Sequence, residues 1–425
     1  MPCLLLLCGA GCGWALELFP PVPVVPDAGP VVVPWGEWVQ TLSVPACATA
    51  DALVVNTIED EAVGGARPWE TWSSAAEAGP TLSLREALWI AWNHPGPDTI
   101  LFDAAVFPSQ APATVRLGAL PMPVNLDDFC LDARGRGVLI GWGPESVGDV
   151  NGMWRVGPNS LMVGVSFVTV PSRFRVFSGQ LVGCRFLDEA PGDAFFSIDL
   201  TGGTVGPGNV FAGPGGIAVT TTVTRSAIVD NFFGVDPRTA EQLPLRRGVM
   251  LWGGFAGEVY LRGNTFLGNE VGIEAPFDSA ASVLIVERND FFSMGRAVAS
   301  GSVRGQVGPL NTIRDSGIGV QVTSGEMVIT RNSISGGGVP IAGPGPSPTG
   351  LFIDGGVGGV CPGDGLVELF SDANAQAEEF LGEASCDAQR SFFWPGFPTS
   401  GRTVSATFTA LDGGTGVLSA PVLIP

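Results

Sequence analysis

The sequence predicts an all-β fold organised as a right-handed parallel β-helix, on three observations. Asn209, Asn231, Asn264, Asn289, Asn311 and Asn332 stand two residues before Phe211, Phe233, Phe266, Phe291, Ile313 and Ile334, at separations of 22, 33, 25, 22 and 21 residues. Cys184-Arg185-Phe186 and Val165-Ser166-Phe167 extend the series backwards, so eight coils are visible. A period in the low twenties with one strand-like run per unit marks a solenoid whose turns stack on one another. The second observation is the runs themselves: Val259-Tyr260-Leu261-Arg262 and Val283-Leu284-Ile285-Val286 are rich in the β-branched and aromatic types that strands prefer. The third is punctuation, because Gly213, Gly234, Gly268, Ser293, Gly317 and Ser335 follow successive units where turns are needed. A unit this short excludes a propeller blade, which takes roughly 40 residues.

The repeated residues have structural reasons. Stacked side-chain amides donate to one rung and accept from another, so the six Asn residues are expected to form a ladder along the axis. The Phe or Ile two positions later points to the same face and stacks inside. In the long step, the stretch from Gly234 to Gly248 reads as a loop inserted at one corner, and loops carry function more often than coils do.

Ahead of the coils, residues 1–15 hold the apolar run Leu4-Leu5-Leu6-Leu7 followed by small residues, and read as an export signal or lipoprotein leader. Gly9-Ala10-Gly11-Cys12 resembles a lipobox, which makes Cys12 the candidate for lipidation. Residues 16–50, with six prolines between Pro20 and Pro34, read as an extended linker. The β-helix is expected over 51–356. Within it Ser83-Leu84-Arg85-Glu86 is a capping box, predicting a helix over 84–93 whose apolar Leu84, Ala87, Leu88, Ala91 and Trp92 shield the open edge of the first coil. Asn93-His94-Pro95-Gly96 ends that helix, and Thr99-Ile100-Leu101-Phe102 begins the coil.

These residues resemble a known bacterial group. Val54-Val55-Asn56-Thr57, Ser83-Leu84-Arg85-Glu86-Ala87-Leu88 and Pro97-Asp98-Thr99-Ile100-Leu101-Phe102 are similar to the N-terminal signature of exported right-handed β-helix repeat proteins with a Cys-Ser-Leu-Arg-Glu-Ala motif. Leu82 stands where that motif has Cys. Asn231-Phe232-Phe233-Gly234-Val235-Asp236-Pro237 is similar to a recurrent coil of the group, so the resemblance spans most of residues 52–353. It implies a secreted or surface location and transfers no catalytic residue. After Gly355-Gly356 the runs Leu366–Phe370 and Val404–Ala410 alternate strictly, as half-buried antiparallel strands do. Residues 357–425 are similar to the small immunoglobulin-like modules that end such proteins.

A formal net charge of −20, with every basic residue an Arg, excludes nucleic acid as a partner. No run approaches the roughly 20 apolar residues of a transmembrane helix. The absence of a C-x-x-C pair argues against zinc and thioredoxin-like chemistry. Cys361 and Cys386 flank one small region and are the candidate disulfide of an oxidising compartment, whereas Cys184, at a ladder position, reads as a buried small side chain.

Candidate chemistry is sparse. The single histidine, His94, sits in the helix-stop turn, and no Ser-His-Asp triad can be assembled. Asp188, Asp236, Glu270 and Asp315 fall shortly downstream of ladder positions, and Arg262, Arg288 and Arg331 shortly upstream; these are the catalytic candidates. Converging acids would bind calcium or act as a hydrolase pair, while the simpler reading makes them solvated coil corners. Asp127, Asp128 and Asp132 are open to the same two readings. The expected function is that of a secreted or outer-envelope protein acting by surface display, adhesion or carbohydrate binding without catalysis, its partner a polysaccharide or another surface protein. The alternative is a polysaccharide lyase or glycoside hydrolase on the same fold. A deep groove of convergent Arg and carboxylate side chains would favour the enzyme.

Overall fold

The computed structural model describes residues 38–424, apart from 61–67, 95, 119–126, 143–153, 169–173, 188–195, 214–216, 222–224, 252–256, 277–278, 325, 354, 373–375, 397–399 and 412–413. The leader with Cys12, the first part of the expected linker, and Asp188 therefore lie outside the described residues. The chain is a parallel β-solenoid, and it divides into two compact units: residues up to 217 with 229–245, and 218–228 with 246–425.

In the first unit the strands Leu53–Val55, Asp98–Phe102, Phe129–Asp132, Leu161–Val163, Gln180–Val182 and Thr204–Val205 run parallel in that order. Ile100, Leu131, Met162, Leu181 and Val205 share one register and are buried, which is the inward half of a period-two pattern. The edge strand is Leu53–Val55, paired with Ile100–Phe102, so one rung precedes the coil expected to be first. A second parallel sheet contains Ala113–Leu117, Val138–Trp142, Ser166–Val168, Arg185–Leu187, Val210–Ala212 and Phe232–Phe233. Along it Phe167, Phe186, Phe211 and Phe233 stack with nearly parallel planes, their ring centroids 5.1, 5.0 and 4.8 Å apart.

The helix Leu84–Asn93 has the expected capping box: the Ser83 hydroxyl accepts from the Glu86 N–H, and Glu86 Oε2 accepts from the Ser83 N–H at 2.8 Å. Its Leu84, Ala87, Leu88 and Ile90 are buried, and it packs against strands 53–55 and 98–102. Arg85 is buried too, its guanidinium held by Asp60 through two bonds of 2.6 Å, while Gly118 donates its N–H to the same carboxylate. A buried guanidinium without that bidentate partner would be strongly destabilising.

The last part of the linker expected over 16–50 is not a free spacer. Trp38, Val39 and Leu42 are buried in one cluster with Val163, Val182, Val210 and Ala212, and Cys47 is bonded to Cys130. The segment 38–48 is thus a strap fastened to the outside of the coils. Proline content gave no sign of this, because burial here depends on what the strap meets.

In the second unit one parallel sheet contains Ser226–Val229, Glu258–Arg262, Ser279–Glu287, Arg296–Val307 and Met327–Ile329, and another contains Thr265–Leu267, Asp290–Phe292, Thr312–Arg314 and Ser333–Ser335. Phe266 and Phe291 stack at 4.7 Å, and Ile313 and Ile334 continue their row by register. Arg247–Met250, Val271–Ala275, Ile318–Ser324 and Val339–Ala342 are parallel as well, and from Thr349 onward the pairing is antiparallel. Thr349–Ile353, Val357–Val360 and Ser391–Trp394 form one small sheet; Glu379–Ser385, Gly365–Asp372, Thr403–Ala410 and Val422–Leu423 form another. Val357, Val367, Leu369, Phe392, Val404, Ala406 and Phe408 make the core of this module, and Cys361 is bonded to Cys386. Strand 349–353, inside the range expected for the β-helix, pairs antiparallel with 357–360, and Gly355 between them is left-handed.

The Asn ladder exists within each unit. Asn209 Nδ2 donates to Asn231 Oδ1 at 2.9 Å; Asn264 donates likewise to Asn289, Asn289 to Asn311 and Asn311 to Asn332, at 2.9, 3.1 and 2.8 Å. Each amide also donates to a backbone carbonyl, such as Leu181 for Asn209 and Leu261 for Asn289. All six are buried, so they are structural amides.

Candidate functional site

Each described candidate has a local role or a surface position of its own, and Asp188 lies outside the described residues. Asp236 is fully buried, held by Arg238 at 2.5 Å and Arg185 at 3.0 Å. Burial works against its charge, yet Arg238 and then Arg185 outweigh it and hold the carboxyl below the ordinary range. It is no solvated corner: it pins the hairpin Val235–Asp236/Glu241–Gln242, which is the form the inserted loop takes, to strand 185–187. Glu270 is an exposed surface partner of Arg246 at 3.6 Å. Arg262 faces Glu287 at 3.7 Å, and Arg331 faces Glu383 at 2.8 Å. Arg288 and Asp315 are exposed residues in left-handed backbone. Among the described residues no three His, Cys, Asp or Glu side chains gather closely enough to hold a metal ion. Cys184 is buried and its thiol is pushed up to about 12 by that burial, which leaves it inert at neutral pH.

The groove of interest lies in the first unit. It has a volume of about 480 Å3 and runs between the strap, at Pro45–Ala48, and the beginnings of five successive strands. Each strand contributes the same three positions: 97–99, 128–130, 159–161, 178–180 and 202–204. Four of the residues on its rim, Asp128, Asn159, Ser178 and Gly202, take left-handed φ between 56° and 71°, which turns each coil sharply into its strand. Behind them Gly179 and Gly203 lie close under neighbouring backbone: a Cβ on either would stand 2.6 Å from a carbonyl oxygen of the rung before. The Cys47–Cys130 bond fixes the far wall.

The lining mixes polar, mostly uncharged groups with apolar ones such as Pro45, Pro97 and Leu161. Asn159 donates to Asp128 Oδ1 at 2.8 Å, Gln180 donates to the Gly206 carbonyl at 3.2 Å, and Ser160 accepts from the Phe129 N–H. Thr99, Ser178 and Thr204 add hydroxyls. At one end stand the two acids, Asp98 and Asp128. Burial pushes the Asp98 carboxyl up from its ordinary value, while His94, with Nδ1 3.1 Å away, pulls it back. Asp98 Oδ2 is buried and has no hydrogen-bond partner among the described residues. Among the described residues no Arg lines the groove. Sequence reasoning weighed Asp128 and His94 but missed the groove, because its residues share a position on each coil without sharing an identity or a spacing. A scan of the chain against known families finds no matching family model, and no curated protein matches it in sequence.

Proposed function

We propose that the protein acts at the surface of the cell, secreted or anchored to the outer envelope, by binding carbohydrate without transforming it, as an adhesion or display module. The observation that carries this reading is the groove: a trough along five rungs, with hydroxyl or amide side chains such as Thr99, Asn159, Ser178, Gln180 and Thr204 beside apolar surface, suits a polysaccharide. Two bonded cysteine pairs and the leader-like start support export, since disulfides persist in oxidising compartments. Cys12 would supply the anchor, and the antiparallel C-terminal module is read as the immunoglobulin-like spacer of the group that the sequence resembles. Among the described residues no helix is long and apolar enough to cross a membrane.

The hydrolase reading keeps one specific support, which is that Asp98 and Asp128 line the same groove and burial favours a protonated Asp98, as a general acid requires. A carbohydrate array on the purified chain, followed by a product assay on each hit, tests both. Retention of intact oligosaccharide that is weakened in Gln180→Ala and Asn159→Ala supports binding. Product release abolished in Asp98→Asn would replace that reading with the enzyme, and silence across the array would remove both.

A further inference from the structure

The two cysteine bridges are set in different surroundings. Cys361 is buried in the core of the C-terminal module, and backbone bonds hold the chain at both ends of its bridge: the Cys361 N–H donates to the Arg390 carbonyl at 2.8 Å, and the Cys386 N–H to the Gly365 carbonyl at 3.1 Å. Cys47 and Cys130 are partly exposed and line the groove. Cys130 stands on the row Thr99, Cys130, Leu161, Gln180 and Thr204, one residue out of step with the inward row, so the strap crosses the outer face of that row where the two sulfurs meet. The strap is well held at its ends. Trp38, Val39 and Leu42 are seated in their apolar cluster with Val44 packed against it, and at the other end Leu53 enters the ladder opposite Ile100. Between them residues 45–49 make no hydrogen bond to the coils among the described residues, and Cys47 is their only covalent tie.

We propose that the Cys47–Cys130 bond is a redox latch on the groove: an external dithiol opens it, residues 45–49 come away as a released wall, and the strap stays seated at Trp38, Val39 and Leu42. A thiolate of the dithiol attacks one sulfur and breaks the Sγ–Sγ bond, and its second thiol displaces the remaining cysteine from the mixed disulfide. The dithiol gives up two electrons and two protons and becomes a disulfide, while Cys47 and Cys130 end as thiols. Cleavage frees the whole span between Val44 and Leu53, which is then ordered only at its two ends. The Cys361–Cys386 bond is no such latch, because antiparallel pairing of strands 357–360 and 379–385 holds the chain beside both cysteines after cleavage. The latch concerns the wall of the groove and stands whatever the groove takes.

The test uses the full oxidised chain treated with dithiothreitol, the thiols being trapped by iodoacetamide and assigned by peptide mapping. Cys47 and Cys130 are expected to be alkylated roughly tenfold faster than Cys361 and Cys386, because the attacking thiolate reaches the exposed bridge first. Hydroxyl-radical footprinting of the same samples should raise the labelling of Leu161, under the wall, toward that of an exposed leucine, while Trp38 and Leu42 in the seat keep theirs. The double variant Cys47→Ser, Cys130→Ser should show the raised Leu161 labelling without reductant and no further response to it. Unchanged Leu161 labelling after both cysteines are reduced means that the wall is held without the bond, and overturns the latch. A rise at Trp38 in step with Leu161 overturns it too, since the bond would then brace the whole strap, and so does reduction of the module's pair ahead of Cys47 and Cys130.

Discussion

The corner that precedes the ladder position is built differently in the two units. In the first it is Gly164, Gly183 and Gly208, with φ of 75°, 56° and 74°; in the second it is Gly263 followed by Arg288, Leu310 and Arg331, with φ of 67°, 56°, 66° and 48°. The backbone does the same thing throughout, and left-handed conformation costs an L side chain roughly 1–2 kcal/mol. The second unit accepts that cost three times, at side chains that stand in solvent; Leu310 is 60% exposed. The first unit cannot, because the strap sits there: a Cβ on Gly183 would lie 2.9 Å from Val39 Cγ1, and on Gly208 2.6 Å from Leu42 Cδ1. Asp230, at φ 53°, shows that even the first unit tolerates a side chain at its last corner. Glycine at these corners therefore records a neighbour as much as a dihedral angle.

The largest effect expected from this contrast is at Gly183. Gly183→Arg reproduces the residue that position 288 tolerates, yet adds overpacking to backbone strain and should cost about 3 kcal/mol in denaturant melts. The same change in a Val39→Ala, Leu42→Ala background should cost markedly less; an equal cost would mean that the strap is not seated on the corner. The ladder, by contrast, should ignore the cover. Asn209→Ala and Asn289→Ala each remove a buried amide that satisfies a neighbouring side chain and backbone N–H, and should each cost about 2 kcal/mol. Costs differing by more than that amount would show that the strap supports the ladder after all.

The second unit has a covered edge of its own, where the C-terminal module meets the last coil. Thr330 donates to Glu368 Oε1 at 2.5 Å, and Thr415 exchanges bonds with Met327 and Ile329. Glu368 is buried, and burial lifts its carboxyl from 4.5 to about 6; Thr330 and Arg331 oppose that lift and Glu383 adds to it. A raised carboxyl favours the protonated folded state, so this stabilisation is complete below pH 4.5 and is lost as pH rises through about 6. Glu368→Gln should raise stability at pH 7 by about 2 kcal/mol and flatten the pH dependence between those limits. Thermal melts across pH 4 to 8 decide, and a variant with the parent's slope would remove Glu368 as the cause. The smallest effect belongs to the open corner: Arg288→Gly relieves left-handed strain but frees the unfolded chain, for a net change within about 1 kcal/mol. A loss well beyond that would show Arg288 in a role its exposed position does not reveal.

The repeat was legible because stacking demands the same residue type at the same place in every coil. Asn at the ladder and Phe beneath it therefore recur in the text of the chain, as do the box Ser83/Glu86 and the alternation of 404–410. Asp236 was misplaced for the converse reason. Its offset from Asn231 matches that of other corner acids, and only the approach of Arg185, 51 residues earlier, makes it a buried anchor. The partnership of Arg85 with Asp60, 25 residues apart and outside any repeat, left no periodic trace either.

The sequence by itself determined the secondary structure, the stacking direction and the inward row of each coil, since these follow from local propensity and from repetition at a nearly fixed period. Tertiary structure alone decided where the strap lies, which corners must be glycine, which acids are anchors and which face a groove. Each of those depends on two segments distant in the chain meeting at a few ångströms. Asp98 and Asp128 belong to one trough because parallel rungs set their strands side by side and the strap at 45–48 closes the opposite wall.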